Sequence, residues 1–243
     1  LEFAAPLVFP RCRVFVVPAF AGLALSGEEY LQVAPKETNW MKTNRVEALS
    51  DGIFAIAMTL LVLGLTIPDA TNADSDTLSR LLADDWPKFL SFVKSFLLLA
   101  VFWMIHHKDF HSIKRVDEGF VWINFFALMF VVLIPFSTSL EGHFPDNTLA
   151  TLIFNTNMLA VGVIYYLLWH YATWDYRLVE REVFDENRIR ISRQRAMVMP
   201  LVALLAIALT FVSPGWSSMA YMLIPLVLVG IERRADSRQQ HTG

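Results

Sequence analysis

Cysteine is almost absent from this chain. Cys12 stands alone among 243 residues, which excludes an intramolecular disulfide framework and a metal site built from several thiolates. Charge is scarce as well. Asp, Glu, Lys and Arg supply 18% of the residues against 55% hydrophobic ones, and a mean hydropathy of +0.46 lies well outside the range of a soluble domain. The net charge of −3 comes with no basic stripe interleaved with aromatics, so nucleic acid is not an expected partner. No Gly-x-Ser-x-Gly, no His-Glu-x-x-His and no glycine-rich phosphate loop is present, so neither an enzyme nor a cofactor is expected. Two familiar channel devices are missing too. There is no Thr-Val-Gly-Tyr-Gly loop to replace an ion's hydration shell, and no apolar segment carries arginine at every third position to sense voltage.

What the chain does have is long apolar runs separated by short charged clusters, the pattern of an all-α integral membrane protein. Six segments can be drawn: 45–67, 88–106, 119–140, 148–171, 195–212 and 216–231. Pro135 should kink the third and free a carbonyl near Ser137, Thr138 and Ser139. Ser213-Pro214-Gly215 reads as a tight turn into the sixth. Trp86, Trp103, Trp169, Trp174 and Trp216 fall near segment ends, where an indole prefers the headgroup level. Lys42, Arg45, Lys108, Lys114, Arg115, the six arginines between Arg177 and Arg195, and Arg233, Arg234 and Arg238 all fall on one side. The opposite loops are acidic, with Glu141 and Asp146 in the second of them. The positive-inside rule then places both termini in the cytoplasm. Residues 1–40 carry four prolines and no spanning segment. They read as a non-native or disordered leader before a start at Met41, followed by a channel-sized domain over 41–235 and a short tail at 236–243.

The stretch from Arg45 to Pro68 carries most of the information. An apolar run from Ile53 to Ile67 is preceded by Arg45-Val-Glu-Ala-Leu49-Ser50-Asp51-Gly52. Fifteen apolar residues cover roughly 22 Å of a ~30 Å hydrocarbon core. The helix must therefore reach back to about Ala48 or Leu49, which draws Ser50 and Asp51 inside the membrane boundary, where a carboxylate is costly. At ~100° per residue, Arg45, Leu49, Gly52, Ile56, Leu60 and Leu63 share one stripe, Thr59 flanks it, and Asp51 lies about a third of a turn away. The stripe lines a narrow dewetted constriction on one reading and simply meets lipid or another helix on the other; periodicity alone favours the second. Ser95, Phe102 and His106 share a face in segment two, with Trp103 beside it, and Asn124 is a natural cross-helix partner for Ser50, Asp51 or His106. Asn155 and Asn157 read as packing glue. Lys94 is expected to snorkel toward the outer interface. His106, His107 and His111 lack a carboxylate or cysteine at helical spacing, so no metal site is expected.

The stretch resembles the signature of the transmembrane protein 175 family of potassium channels, Arg-x-x-x-Phe-Ser-Asp-Gly, with Leu49 in place of the usual Phe. Ser95-Phe96 with Trp103-x-x-His106 resembles that family's second helix, and Asn124 with Pro135-Phe136 its third. The resemblance spans Arg45 to about Leu140. It implies a potassium-permeable channel without a filter loop, a homotetramer whose first helix lines the pore. On the same resemblance the narrowest position falls on Ile56, with further rings at Leu60 and Leu63, and the pore-proximal threonine falls on Thr59. It implies a polar network of Arg45, Ser50, Asp51, Trp103, His106 and Asn124.

The expected protein is thus a six-helix channel of a prokaryotic inner membrane, with potassium and the lipid bilayer as its partners. Two other classes stay open at this point. One is a proton-coupled secondary transporter using Asp51 and His106 as a relay. The other is a scaffold or sensor that conducts nothing.

Overall fold

The computed structural model describes residues 42–66, 74–180 and 186–240. The expected leader at 1–40, the expected start at Met41, and Ile67 and Pro68 at the end of the signature stretch lie outside them.

Six helical spans are long and apolar enough to cross a membrane: Thr43–Gly64, Trp86–His111, Glu118–His143, Thr148–Tyr176, Arg188–Thr210 and Pro214–Ile231. The first is helix α1 (Thr43–Leu60), closed by a 3₁₀ turn over Leu61–Gly64. Its start lies five residues upstream of the minimum that bilayer thickness demanded. Twenty-two residues reach roughly 33 Å at ~1.5 Å each, enough to span without Ile67.

A short helix, α2 (Ser75–Asp84), stands where the sequence reading placed only an acidic loop. Its N-cap is Asp74, whose carboxylate accepts from the Thr77 amide at 3.0 Å. Those bonds hold the Asp74 carboxyl below its ordinary value. Leu78 and Leu82 are exposed.

The second span is α3 (Trp86–His111). The third is broken into α4 (Glu118–Val132) and α5 (Ile134–His143). Pro135 causes the break, because it has no N–H to offer the carbonyl one turn earlier. The carbonyl that loses this donor is Val131's, upstream of the proline and not near Ser137–Ser139 as expected, and it receives the Leu133 amide instead. Helix α6 (Thr148–Thr173) is capped by Asn147, which accepts from the Leu149 and Ala150 amides. Helix α7 (Glu186–Thr210) starts nine residues before the expected Arg195, since an arginine-rich helix can continue beyond the bilayer. The expected tight turn at Ser213-Pro214-Gly215 is instead the start of a helix. Pro214 opens the single turn α8 (Pro214–Ser217), which passes through a 3₁₀ segment into α9 (Leu223–Gln240).

Two cores hold the bundle. The larger one joins Phe54, Leu99, Phe102, Val131, Ile134, Phe154, Met158, Val202 and Ile224. The smaller one gathers Val46, Phe110, Phe120, Leu168 and Val179 at one end. There Asp117 caps α4 through the Phe120 amide and also receives Tyr171 and Arg177, at 2.9 and 3.0 Å. Helices α6 and α7 pack most extensively. A Cβ on Gly162 would stand 3.0 Å from the Pro200 nitrogen, so glycine is what lets the two backbones meet.

Candidate functional site: the first helix and its anchors

Helix α1 has two unlike faces. Val46, Ser50, Phe54 and Ala57 are buried, and Leu61 continues the row into the 3₁₀ turn. The spacing of four, four, three and four is that of one side of a helix. On the other side, Ile56 is 59% exposed and Leu63 70%, with Leu49 and Leu60 also open. A Cβ added at Gly52 would meet nothing within 4 Å. Thr59 is exposed, and its hydroxyl donates to the Ile56 carbonyl at 2.8 Å.

The buried side is fixed by polar contacts to two helices. Asn124 of α4 donates from Nδ2 to Ser50 Oγ at 3.1 Å, and Ser50 donates onward to the Val46 carbonyl at 3.0 Å. The Oδ1 of Asn124 lies 3.3 Å from His106 Nε2 on α3, with the imidazole as donor. Ser50, His106 and Asn124 are all fully buried. The His106 ring stacks on Phe110 at 4.3 Å and tilts against Phe54 at 5.7 Å. Separately, the Trp103 indole donates to Asp51 Oδ1 at 2.8 Å. One turn from it, His107 stacks on Trp103 and lies 3.2 Å from Glu47. Five of the six residues assigned to the polar network therefore meet, in two separate sets. Arg45 does not join them: it is exposed and makes no side-chain hydrogen bond or ion pair among the described residues.

A second polar cluster escaped the sequence reading. Lys94 does not snorkel. Its ammonium points inward to Glu141 Oε2 at 2.5 Å and Ser218 at 3.1 Å, and sits 4.2 Å above the Phe154 ring. Glu141, read as a loop residue, is 4% exposed on α5 and also accepts from Ser218. An ion pair satisfied by a hydroxyl and a ring face is how a bundle tolerates two charges in an apolar setting. The signal in the sequence was the pair of opposite charges inside or beside apolar runs. What it lacked was the azimuth that joins residues 47 apart.

Asn155 does act as packing glue, donating to Thr210 and Ser217 and accepting from Tyr221. Asn157 donates to Ser137. Trp169 is buried, so it is no interface anchor, whereas Trp86, Trp174 and Trp216 are exposed at span ends.

Six helices long and apolar enough to cross a bilayer, with polar residues spent on holding them together, define a multi-pass membrane protein. Comparison with known proteins makes the class specific. Residues 45–135 match the family described as "Endosomal/lysosomal potassium channel TMEM175". A potassium channel of Chamaesiphon minutus is 31% identical over 205 residues, covering 83% of this chain and 98% of that one. A potassium channel of Streptomyces collinus is 31% identical over 189 residues, covering 76% and 90%. The crystal structure of a lysosomal potassium-selective channel TMEM175 homolog from Chamaesiphon minutus superposes with a TM-score of 0.67 at 29% identity, over 79% of this chain and 97% of that one. The chain belongs to the TMEM175 family, and with it to the cation channels.

Proposed function

We propose that this protein is a potassium-permeable channel of a prokaryotic inner membrane, with both termini cytoplasmic and four copies arranged around an axis lined by α1. The observation that carries the reading is the division of α1. Its Ser50 side is locked onto α3 and α4, while Gly52, Ile56, Leu60 and Leu63 are presented outward from the single chain. A lone six-helix bundle of this size encloses no wide path, so an outward stripe becomes a lining only when copies close around it. Rings of Ile56, Leu60 and Leu63 then form a hydrophobic constriction. Aliphatic rings offer no oxygens to replace an ion's water. Selectivity is therefore modest and set by width, by nearby dipoles and by Thr59. Asp51 and Trp103 act as an anchor for α1 and not as an ion ligand.

The geometry gives little support to a proton relay through Asp51 and His106. Asp51 is bonded to an indole, which can only donate, and His106 to an amide. Flux from purified protein in liposomes separates the readings. A channel gives non-saturating potassium flux that exceeds sodium flux with no proton gradient. A coupled transporter gives saturating uptake that needs the gradient and is lost in Asp51→Asn.

A further inference from the structure

Helix α3 packs chiefly on α5, whereas α7 packs on α6 and α9. The space left between α3, α7 and α9 is a cleft of about 220 Å³. Its two ends differ in chemistry. Lys108, Asp109, Ser192 and Arg195 form a polar rim, while Val101, Met104 and Pro225 form an apolar floor. From Val101 to Lys108 along α3 the cleft runs about 10 Å parallel to the helix axis. Lys108 lies three residues from the end of the second span, so the rim sits at headgroup level and the floor reaches into the hydrocarbon. On the rim two cations meet one carboxylate. The formal excess is one positive charge with Asp109 ionised and two with it protonated.

We propose that this cleft binds an anionic phospholipid, its phosphate held by Lys108, Ser192 and Arg195 and an acyl chain laid along Val101, Met104 and Pro225. A guanidinium and an ammonium beside a hydroxyl match phosphate oxygens through charge-assisted hydrogen bonds. Basic pockets between membrane helices are where such headgroups are held. The apolar floor gives water nothing to bond, but it suits a lipid tail. A zwitterionic lipid brings its own cation, which the rim disfavours. Lys108 and Arg195 also have neighbours within the chain; the site needs their charge and position, not their isolation. The proposal rests on the protein crossing the bilayer and not on its conducting ions.

The test is native mass spectrometry of the full chain from micelles doped with equal amounts of phosphatidylglycerol and phosphatidylcholine. Wild type is expected to keep phosphatidylglycerol preferentially. Lys108→Gln should lower that retention about fivefold, and Lys108→Gln with Arg195→Gln on the order of twentyfold. Lys108→Arg should keep it. Ala196→Phe, which fills the cleft without changing charge, should lower it too. If the double glutamine variant does not fold, Lys108→Arg and Ala196→Phe decide the matter. Four results would overturn the proposal. These are equal retention of the two lipids by wild type, unchanged retention in Lys108→Gln or Ala196→Phe, and displacement of the lipid by inorganic phosphate alone. The fourth is an oligomeric state that shifts in Ala196→Phe with lipid retention intact, which would assign the cleft to another copy of the chain.

Discussion

Asn124 is the residue on which α1 depends most. Among the described residues it is the one side chain that bonds both Ser50 and His106, and all three are shut off from solvent. Replacing it with leucine removes both bonds inside an apolar bundle, where interhelical hydrogen bonds are worth about 1–2 kcal/mol each. Asn124→Leu should therefore lower stability by roughly 2 kcal/mol, read as a drop in the unfolding midpoint in detergent. Trp103→Phe should cost less, because Asp51 is only half-buried and water can replace the lost indole. The Lys94–Glu141 pair behaves differently again. Lys94→Met alone leaves a buried carboxylate uncompensated and should destabilise by about 3–5 kcal/mol. Lys94→Met combined with Glu141→Leu should recover most of that loss. A double variant as unstable as the single one would mean that the pair does more than neutralise itself. These two sites were unequally legible. A lone asparagine in an apolar run announces a cross-helix partner. Lys94 and Glu141 announced two charges with ordinary surface explanations, and only the rotation of α3 against α5 joins them.

At the scale of the element, the contact between α6 and α7 is the tightest constraint. Gly162→Val would drive a branched side chain into the Pro200 ring, whose Cδ stands 3.1 Å from where the Cβ would be. The expected cost is about 1–3 kcal/mol, with a bundle that unfolds earlier in a detergent titration. The outer helix α2 is the opposite case, since it has no buried residue. Asp74 has a folded pKa below its usual 3.8, so its capping contribution is present above that value and is lost as pH falls through the lower folded value. The protection of α2 amides relative to their intrinsic exchange should therefore fall on acidification below about pH 4, while that of α6 amides does not. Apolar runs marked the six spans, because a bilayer demands some twenty apolar residues wherever a helix crosses. They did not mark α2, a ten-residue amphipathic helix in an acidic stretch, nor the arginine-rich start of α7. In both, charge reads as loop although it is compatible with an exposed helix.

At the scale of the molecule, the described residues form a bundle held by buried polar contacts, with Ile56, Leu60 and Leu63 of α1 exposed on the single chain. The helical projection separated Ile56, Leu60 and Leu63 from Asp51 from the residues alone. It could not say which side faces the bundle. Ser50 bonded to Asn124 settles that for the single chain, and the packing of copies around α1 belongs to the proposal. The central claim is that ions pass along Ile56. It is tested most directly by measuring potassium and sodium flux through liposomes containing wild-type protein or Ile56→Asn, each first shown to be folded and of the same oligomeric size. The account predicts that wild type prefers potassium, and that the asparagine wets the constriction, raising flux and lowering the preference. Flux and preference both unchanged in Ile56→Asn would contradict it.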